Sequence, residues 1–542
     1  MRTRPLFALA LGLMVTFPSL AADTNQEKVN QIFAAYDKAG SPGCAVGVIR
    51  DGNFIYRRAY GAASLELGVP LSPDSVFYMG SVSKQFTAAA IVLAAEQGYL
   101  SLDDDVRKYI PELPNYGHTI TLRQMLHHTS GFRDFEALLG LSGGSLLDFH
   151  SKEEIINLIV RQKNLNNVPG DEWIYSNTNY FLLAEVVQRA TKKSLADFAA
   201  EYIFRPLGMV HTRFYDDHSL IVPGRVPGYR GTDGNFRVNW STNWDVVGAG
   251  GLMSSVDDLL FWDRNFYQNR LGKGTLLKEM QSPGMLNNRN PIRYALGLEL
   301  GTYRGLPTVE HAGGFPGYVT DILRFPQQRF TVMCLCNLSS ADPSTLSDKV
   351  ADVYLGDNLS RTEPSTLEPS GGGLTDPTRF SGKYRDPRTH IVYSFTASKG
   401  NLMAWGAILR RIGVNQFRDL GSGIITFDNA QGQMKASLEY LGQTFFSGTR
   451  IQEPRFSEST LAGFAGLYKS TELDATYRLL LDNGRLVLRN RWNEPVTLTP
   501  VAPEEFETDL GTIVFHRDAN HRVTGLSVFS GSVRNLRFEK AN

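Results

Sequence analysis

Strand-like segments lie at the two ends of the region between about residue 40 and residue 340, and helical patterns fill the interval. The first two strands are predicted at 43–50 and 54–60, joined by Asp51-Gly52, a dipeptide typical of two-residue hairpin turns. Further strands are predicted at 308–311, 318–325 and 329–337. This order predicts an α+β fold in which one antiparallel sheet is closed by the two ends of the region and carries a helical insertion.

Helices are predicted between and beside these strands from apolar spacing. The predicted segments are 26–39, 85–97, 152–162, 180–191 and a last one near 345–354. The helix predicted at 85–97 is expected to end at Gly98.

The remaining third of the chain predicts two small antiparallel β-barrels. A chain of 542 residues exceeds one domain, and the Pro-, Ser- and Gly-rich stretch 358–372 is typical of a linker. Beyond it, Phe380-Ser-Gly-Lys-Tyr384 matches Phe464-Ala-Gly-Leu-Tyr468, 84 residues later, and two further matches follow in the same order. The predicted organisation is therefore a signal peptide, a catalytic domain, a linker and two barrels, at 1–21, 22–357, 358–372, 373–453 and 454–542.

The amino terminus predicts export to the periplasm or the medium. Arg2 and Arg4 precede a short apolar run at 6–17 and small residues, with cleavage expected after Ala21. No later stretch is apolar for long enough to predict an integral membrane segment. Lys and Arg number 55, as do Asp and Glu, so charge gives no indication of a nucleic-acid partner.

Ser81 and Lys84 form a Ser-x-x-Lys pair at the start of the apolar helix. Residues three apart on a helix share a face, so the hydroxyl and the amine meet. Serine needs a neighbouring base to become a nucleophile, and a buried lysine loses enough basicity to serve as one. The pair predicts covalent catalysis by Ser81, although a serine near a helix start beside a solvated lysine is the alternative for this short pattern.

Further motifs follow in a fixed order. They are Leu126-His-His-Thr-Ser-Gly131, Tyr175-Ser-Asn177, Gly248-Ala-Gly-Gly-Leu-Met-Ser-Ser255 and His311-Ala-Gly-Gly314. With Ser81 and Lys84, this set resembles the penicillin-recognising serine hydrolases, which include class C β-lactamases, D,D-peptidases and their esterase and D-aminopeptidase relatives. The two β-barrels and the histidine in the third motif make the D-aminopeptidases the most similar branch.

The resemblance implies a role for each motif. Ser81 is expected to be the nucleophile, with Lys84 and Tyr175 as the proton-handling pair. Asn177 is expected to orient Lys84 and the substrate. The strand with His311, Gly313 and Gly314 is expected to bind substrate, and the N–H groups of Ser81 and Gly314 to form the oxyanion hole. The alternatives are a core tyrosine at 175, a helix cap at 177 and a structural histidine at 311.

The third motif also bears on the substrate. In β-lactamases a lysine usually occupies the position of His311, and a fixed cation holds a substrate carboxylate. Histidine is mostly neutral at pH 7. Carboxylate-bearing β-lactams and D-Ala-D-Ala stems are therefore less expected as substrates. The resemblance to the D-aminopeptidases implies short peptides or amides with a free amino group, in the D configuration or not, or small esters. The other hypotheses are a β-lactamase or D,D-carboxypeptidase and a non-catalytic recognition protein.

The resemblance implies no cofactor and is compatible with a homodimer. The sequence has no Cys/His cluster with zinc spacing. Cys334 and Cys336 alternate on one predicted strand and would bridge each other poorly, and Cys44 lies on another strand, so all three are expected to be small core residues. A loop of the last barrel is expected to reach the catalytic cleft, and the acidic stretch 504–511 is expected to be a solvated turn.

Overall fold

The computed structural model describes residues 20–38, 40–232, 234–239, 243–360, 376–419, 423–430, 432–491 and 494–541. The predicted signal peptide lies outside these ranges except for its last two residues, as does most of the predicted linker. The α-helices are Leu20–Ile32, Ser83–Glu96, Leu122–Leu126, Phe135–Ser142, Lys152–Val160, Asn177–Thr191, Leu195–Ala199, Arg205–Leu207, Val256–Gln268, Leu276–Met280, Pro343–Leu355 and Glu458–Ala462.

The sheet predicted from the two ends of the first region is present and has six strands. In spatial order they are Glu299–Tyr303, Leu306–Phe315, Tyr318–Phe325, Phe330–Cys336, Cys44–Arg50 and Asn53–Tyr60, each antiparallel to its neighbours. The first strand of the chain pairs with the last strand of this region, so the sheet joins the two ends as predicted. The α+β prediction is confirmed.

Two helices cover one face of the sheet, and the other face packs on the helical insertion. Val29 and Phe33 join Val350 and Ala351 in one apolar cluster against the sheet. On the opposite side, the helix Ser83–Glu96 lies in the main core with twelve buried residues of its fourteen. A helix that is buried on all sides is held by the elements around it. Ser81 lies in the turn directly before this helix, so its position is held as well.

Short ladders complete this part of the chain. They pair Ala62–Ser64 with Val69–Pro70, Leu252–Ser254 with both Phe77–Tyr78 and Arg213–Phe214, Gly228–Thr232 with Asn235–Asn239, and Gly284–Met285 with Pro291–Ile292. Within the described ranges, no helix has the length and apolar character needed to cross a bilayer.

The two β-rich units predicted after the linker are also present. The middle sheet has nine strands, Gly382–Arg385, Val392–Ser398, Asn401–Ala404, Ala407–Ile408, Arg410–Arg411, Gln416–Arg418, Ile424–Ala430, Gln433–Tyr440 and Gln443–Arg450. The C-terminal barrel is closed by eight strands, Gly466–Ser470, Ala475–Asp482, Arg485–Arg489, Val496–Ala502, Glu505–Thr508, Gly511–Arg517, Val523–Phe529 and Leu536–Lys540.

The internal duplication read from the sequence has a structural counterpart. The Tyr384 hydroxyl donates to the Phe380 carbonyl at 3.0 Å, and the Tyr468 hydroxyl donates to the Phe464 carbonyl at 2.7 Å. Both tyrosines are fully buried. The matched residues therefore build the same corner at the start of each β-rich unit.

The expectation for the cysteines was wrong at two of the three positions. Cys44 and Cys336 form a disulfide between neighbouring strands, and Cys334 is a free, buried thiol. The two bonded residues are directly opposite each other in the register of the sheet. The sequence predicted that the two ends of this region share a sheet, but it did not give the register that places Cys44 opposite Cys336.

The C-terminal barrel is attached to the helical insertion by a buried ion pair. Arg133 donates to the Glu472 carboxylate at 2.8 Å, and both side chains are at most 3% exposed. The same guanidinium donates to the carbonyls of Arg534 and Asn535, and the Ser532 carbonyl accepts from the Asp134 amide. Two loops of the barrel, around 472 and 530–535, thus hold the segment at 133–134.

The acidic stretch 504–511 has a different environment from the expected solvated turn. Glu505 is buried and pairs with Arg385 and His390 of the middle sheet. Glu507 pairs with Lys383 of the same sheet. This stretch joins the two β-rich units because their cationic strand Gly382–Arg385 faces it, an arrangement that sequence alone does not specify.

We predict that Glu472→Ala destabilises the protein by about 3–5 kcal/mol, because it leaves the Arg133 guanidinium buried and without its counter-charge. The free energy of unfolding is measured from urea denaturation and the melting temperature from calorimetry. Glu539→Ala, which removes an exposed carboxylate from the same barrel, is the matched control. Equal midpoints for the two variants would contradict a stabilising role for the Arg133–Glu472 pair.

Candidate active site

Ser81 lies in a tight turn that the neighbouring strand holds closely. Gly80 has a φ of 54° and begins a short 3₁₀ turn, Gly80–Val82, from which the helix continues at Ser83. A Cβ atom on Gly80 would lie 2.7 Å from the Gly314 nitrogen, so only glycine permits this approach. The half-buried Ser81 side chain is thereby presented beside the strand Leu306–Phe315.

The predicted meeting of Ser81 and Lys84 is present. Lys84 Nζ lies 3.0 Å from Ser81 Oγ, 2.7 Å from Asn177 Oδ1 and 2.8 Å from the Ala249 carbonyl. The lysine side chain is fully buried, and its amine also lies over the ring of Tyr175, 4.8 Å from the centroid. Three sequence motifs that are far apart in the chain therefore converge on one amine.

Burial lowers the pKa of Lys84 to about 7, against the opposing effect of the nearby carboxyl groups of Glu136 and Asp134. A neutral amine has two N–H donors and one lone pair. The Asn177 oxygen and the Ala249 carbonyl accept the two donors, which leaves the lone pair for the Ser81 hydroxyl. The surroundings of Lys84 thus suit its neutral, basic form.

Tyr175 lies beside this pair within a group of aromatic rings. Its ring is 4.3 Å from the His128 ring and meets the Tyr294 ring at 87° with centroids 6.2 Å apart. Burial raises the pKa of the Tyr175 phenol well above 10, and a hydrogen bond with Ser81 opposes that increase. Tyr175 is therefore a neutral phenol next to the Ser81 hydroxyl, able to give a proton and take one back.

Asn177 connects Lys84 to a buried acidic segment. It is the first residue of the helix Asn177–Thr191, and its backbone N–H donates to the Asp134 carboxylate. Asp134 is also the N-cap of the helix Phe135–Ser142, accepting from the Ala137 amide at 3.0 Å. One carboxylate thus orders the start of two helices that border the site.

The third motif lies on the strand that passes Ser81. A Cβ on Gly313 would fall 2.2 Å from the Met79 carbonyl and 3.0 Å from the Ser81 nitrogen, so the strand is in direct contact with the turn. Gly314 lines the cleft together with Ser81 and Asn177. The backbones at Ser81 and Gly314 are therefore adjacent.

The His311 side chain has a different orientation from a cleft-lining residue. It is 2% exposed, and its Nε2 lies 3.0 Å from the Tyr294 hydroxyl. Burial lowers its pKa to about 3, and the nearby Lys84 lowers it further. His311 is thus a neutral imidazole at pH 7 and supplies no fixed positive charge.

His127 and His128, which the sequence left as structural residues, are also neutral. Burial lowers the pKa of His127 to about 4 and that of His128 well below its usual value. His128 Nδ1 accepts from the Ser176 amide at 3.2 Å. The dipeptide thereby holds the loop that carries Tyr175.

Sequence reasoning did not identify Glu136, which lines the cleft with Ser81 and Asn177. Burial raises its pKa to about 8, with Asp134 adding to the increase. The available signal was a single acid in the otherwise apolar helix Phe135–Ser142, directly after an N-cap aspartate. An acidic residue in the first turn is also common because it interacts favourably with the helix dipole, so this signal does not by itself indicate a functional residue.

Aromatic residues and loop backbone close a narrow cleft of about 40 Å³ around Ser81. The described lining consists of residues 78–315 alone: Tyr78, Gly80, Ser81, Phe135, Glu136, Asn177, Trp244, Val246, Ala249, Gly250, Gly314 and Phe315. The barrel loop 530–535 contacts Asp134, next to the cleft residues Phe135 and Glu136, and does not enter this described lining.

Among the described residues, exposed Asp217 and His218 lie with Asp245 at distances that suit metal ligands. His218 Nδ1 already lies 2.8 Å from the Asp245 carboxylate.

A family model described as Beta-lactamase matches residues 29–355, which is more than half of the chain and includes every residue of this cleft. The chain belongs to the β-lactamase family. Together with the Ser81–Lys84 geometry, this membership makes it a serine hydrolase.

Curated relatives match this β-lactamase-family hydrolase over nearly its whole length. A D-aminopeptidase of Brucella melitensis is 25% identical over 528 residues, covering 92% of this chain and 96% of its own. A D-aminopeptidase of Gluconobacter oxydans is 26% identical over 526 residues with the same coverage. The similarity therefore includes both β-rich units.

Solved structures share the fold at lower identity. The octameric penicillin-binding protein homologue from Pyrococcus abyssi has a TM-score of 0.56 at 20% identity, covering 86% of this chain and 98% of its own. The D-amino acid amidase from Ochrobactrum anthropi SV3 has a TM-score of 0.52 at 22% identity, covering 63% of this chain and all of its own. These likenesses establish the fold.

We predict that the rate of covalent labelling of Ser81 by a fluorophosphonate rises about tenfold per pH unit below the pKa of Lys84 and levels off above about pH 7. The sign follows because the neutral amine is the base, so protonation at lower pH removes it. Fluoride leaves without a proton, so the probe reports activation of the serine alone. Ser81→Ala is the control that should show no label; a pH-independent rate in the parent protein would contradict Lys84 as the base.

Proposed function

We propose that this serine hydrolase cleaves small amides or short peptides that carry a free amino group, through an acyl-enzyme, as a D-aminopeptidase-type enzyme. The observation that carries the proposal is the carboxyl group of Glu136 in the cleft beside Ser81. No hydrogen bond or ion pair from another described residue satisfies it, and burial raises its pKa to about 8. The Glu136 carboxyl group is partly exposed to the cleft, and a carboxyl group with no direct ion-pair partner is suited to receive a cation from the substrate.

In the acylation step, the neutral Lys84 amine accepts the proton of Ser81 Oγ as that oxygen attacks the substrate carbonyl carbon. The distance of 3.0 Å allows direct transfer. The oxyanion that forms accepts hydrogen bonds from the N–H groups of Ser81 and Gly314. The positive end of the helix Ser83–Glu96 adds favourable potential at the same place.

The leaving group is then protonated and released. The Tyr175 phenol donates its proton to the departing nitrogen as the carbon–nitrogen bond breaks, and it recovers a proton from the Lys84 ammonium under its ring. A water molecule enters in place of the amine, loses a proton along the same route and hydrolyses the ester at Ser81. Asn177 keeps Lys84 oriented through both steps by accepting one of its N–H groups at 2.7 Å.

The substrate ammonium pairs with Glu136, which lines the same cleft as Gly314 and Phe315 of the strand Leu306–Phe315. A cation beside Glu136 lowers the pKa of the carboxyl group and ionises it at neutral pH. Phe135, Trp244 and Phe315 confine the substrate side chain between aromatic walls. The D-aminopeptidase relatives support substrates of this class.

The geometry disfavours the alternative of a β-lactamase or D,D-carboxypeptidase. Such substrates present a carboxylate to the third-motif strand, which needs a fixed cation there. His311 is neutral at pH 7 and turned toward Tyr294, so it does not supply that charge. Family membership as a serine hydrolase likewise disfavours the non-catalytic recognition hypothesis.

The place of action that we propose is the periplasm or the medium. The buried disulfide Cys44–Cys336 supports this, because disulfides form and persist in oxidising compartments. Homodimerisation remains a prediction.

We predict that Tyr175→Phe lowers kcat on alanine p-nitroanilide by about 10²–10⁴-fold, the range typical of a general acid–base group. The ring and its contacts with His128 and Tyr294 remain, so the fold is preserved. Steady-state kinetics on the purified enzyme measure the change. Tyr294→Phe is not a suitable control, because the Tyr294 hydroxyl hydrogen-bonds His311. Tyr116→Phe, which removes a hydroxyl elsewhere in the helical insertion, should leave kcat unchanged.

We predict that Glu136→Gln lowers kcat/KM on alanine p-nitroanilide at least about 30-fold, because losing one partner of a buried charge pair costs roughly 2–5 kcal/mol. N-acetylalanine p-nitroanilide carries no ammonium, so its hydrolysis should be slow in the parent enzyme and little changed in the variant. Both D and L forms are tested, with the D form expected to react faster. Glu153→Gln, at an exposed position of a neighbouring helix, is the matched control.

Equal losses on the free and the acetylated substrate would contradict ammonium binding at Glu136. Rapid hydrolysis of nitrocefin, with slow hydrolysis of every amino amide, would instead favour a β-lactamase.

A further inference from the structure

The hairpin of strands Gln433–Tyr440 and Gln443–Arg450 projects from the middle sheet, and its tip is a two-residue turn. Leu441 and Gly442 form the turn with φ values of 49° and 78°, which suit the type I′ turns of hairpins. Asparagine, aspartate or glycine is the usual first residue of such a turn, and a leucine there is unfavourable. Leu441 is nevertheless buried to 6% exposure, so the chain retains a costly residue for the contacts of its side chain.

Those contacts are with residues that pack around Tyr175. Leu441 forms an apolar cluster with Trp173, Leu286, Ile292 and Tyr294, and Tyr175 packs against this cluster. The Leu441 carbonyl accepts from the Arg293 amide at 3.3 Å, and the Gln443 side chain donates to the Pro291 carbonyl at 3.0 Å. The tip is thus fixed by both side-chain and backbone contacts.

Tyr440 adds a polar contact on the same tip. Its hydroxyl lies 2.9 Å from each oxygen of the Glu299 carboxylate, and its ring is 5.7 Å from the Trp173 ring. Burial raises the pKa of the Tyr175 phenol most, and the negative charge of the Glu299 carboxylate raises it further. The hairpin therefore reaches Tyr175 through packing and through an intervening charge.

We propose that the hairpin tip of the middle sheet, Tyr440 to Gln443, is a positioning element that holds Tyr175 over the Ser81–Lys84 pair, with Leu441 as its anchor. The inference deepens the proposed function and rests on its assignment of Tyr175 to leaving-group protonation. Leu441 acts through Trp173 and Tyr294, whose ring centroids lie 6.5 Å and 6.2 Å from that of Tyr175. Leu441 is thus a positioning residue that contacts neither the substrate nor Ser81.

The test is Leu441→Gly, which suits the left-handed turn better than leucine does and removes only the anchor. The matched control is Lys399→Gly. Lys399 and Gly400 form a turn of the same kind in the same sheet, with φ values of 49° and 78°, and Lys399 is exposed. Leu441→Met, a flexible side chain of similar size, tests rescue.

Two substrates separate positioning from simple loss of structure. The nitrogen of alanine p-nitroanilide must be protonated as it leaves, whereas p-nitrophenolate leaves p-nitrophenyl acetate without a proton. We expect Leu441→Gly to lower kcat on the anilide at least about tenfold, a part of the roughly 10²–10⁴-fold contribution of a general acid. KM on the anilide and turnover of the ester should change less than about threefold, and Leu441→Met and Lys399→Gly should resemble the parent.

Fluorophosphonate labelling of Ser81 accompanies each assay. Unchanged anilide turnover in Leu441→Gly, with Ser81 labelled normally, would overturn this inference and leave the proposed function intact. Equal losses on the anilide and the ester would assign Leu441 a structural role and also overturn it. Failure of the parent protein to become labelled at Ser81 would overturn the proposed function, and this inference with it.

Discussion

The site depends on one buried amine. Lys84 is enclosed in the core, where a charged ammonium is costly, so its pKa falls to about 7. The amine is kept in place only because three oxygens surround it, from Ser81 on its own helix, from Asn177 and from the Ala249 backbone. Each oxygen comes from a different part of the chain, so the fold must be complete before the base exists.

The two β-rich units each support a different side of this site. The C-terminal barrel holds the segment at 133–134 through the buried Arg133–Glu472 pair, and that segment orders Asn177 and leads into Glu136. The middle sheet holds the opposite side through the hairpin at 440–443. Among the described residues, only the β-lactamase-like part therefore lines the narrow cleft. The C-terminal barrel and the middle sheet contact residues next to the site instead.

Much of the site was predictable because its motifs are local. Ser81 and Lys84 are three residues apart on a helix, and helix geometry brings them together in any fold. The prediction from Asp51-Gly52 and the strands around it held for the same reason, since turn chemistry and strand alternation are short-range properties. Glu136 was missed because an acid in a first helical turn has an ordinary explanation until its surroundings are known.

The sequence by itself determined five strands of the first sheet and the Ser81–Lys84 pair, since these depend on neighbours within a few residues. It also showed the repeat that contains Tyr384 and Tyr468, because the matching residues keep the same order. The tertiary structure alone decided that Cys44 bonds Cys336, because the register between two strands far apart in the chain is not a local property. It likewise decided that His311 is buried beside Tyr294, which lowers the pKa of the imidazole to about 3, because packing against distant residues is not a local property of the sequence.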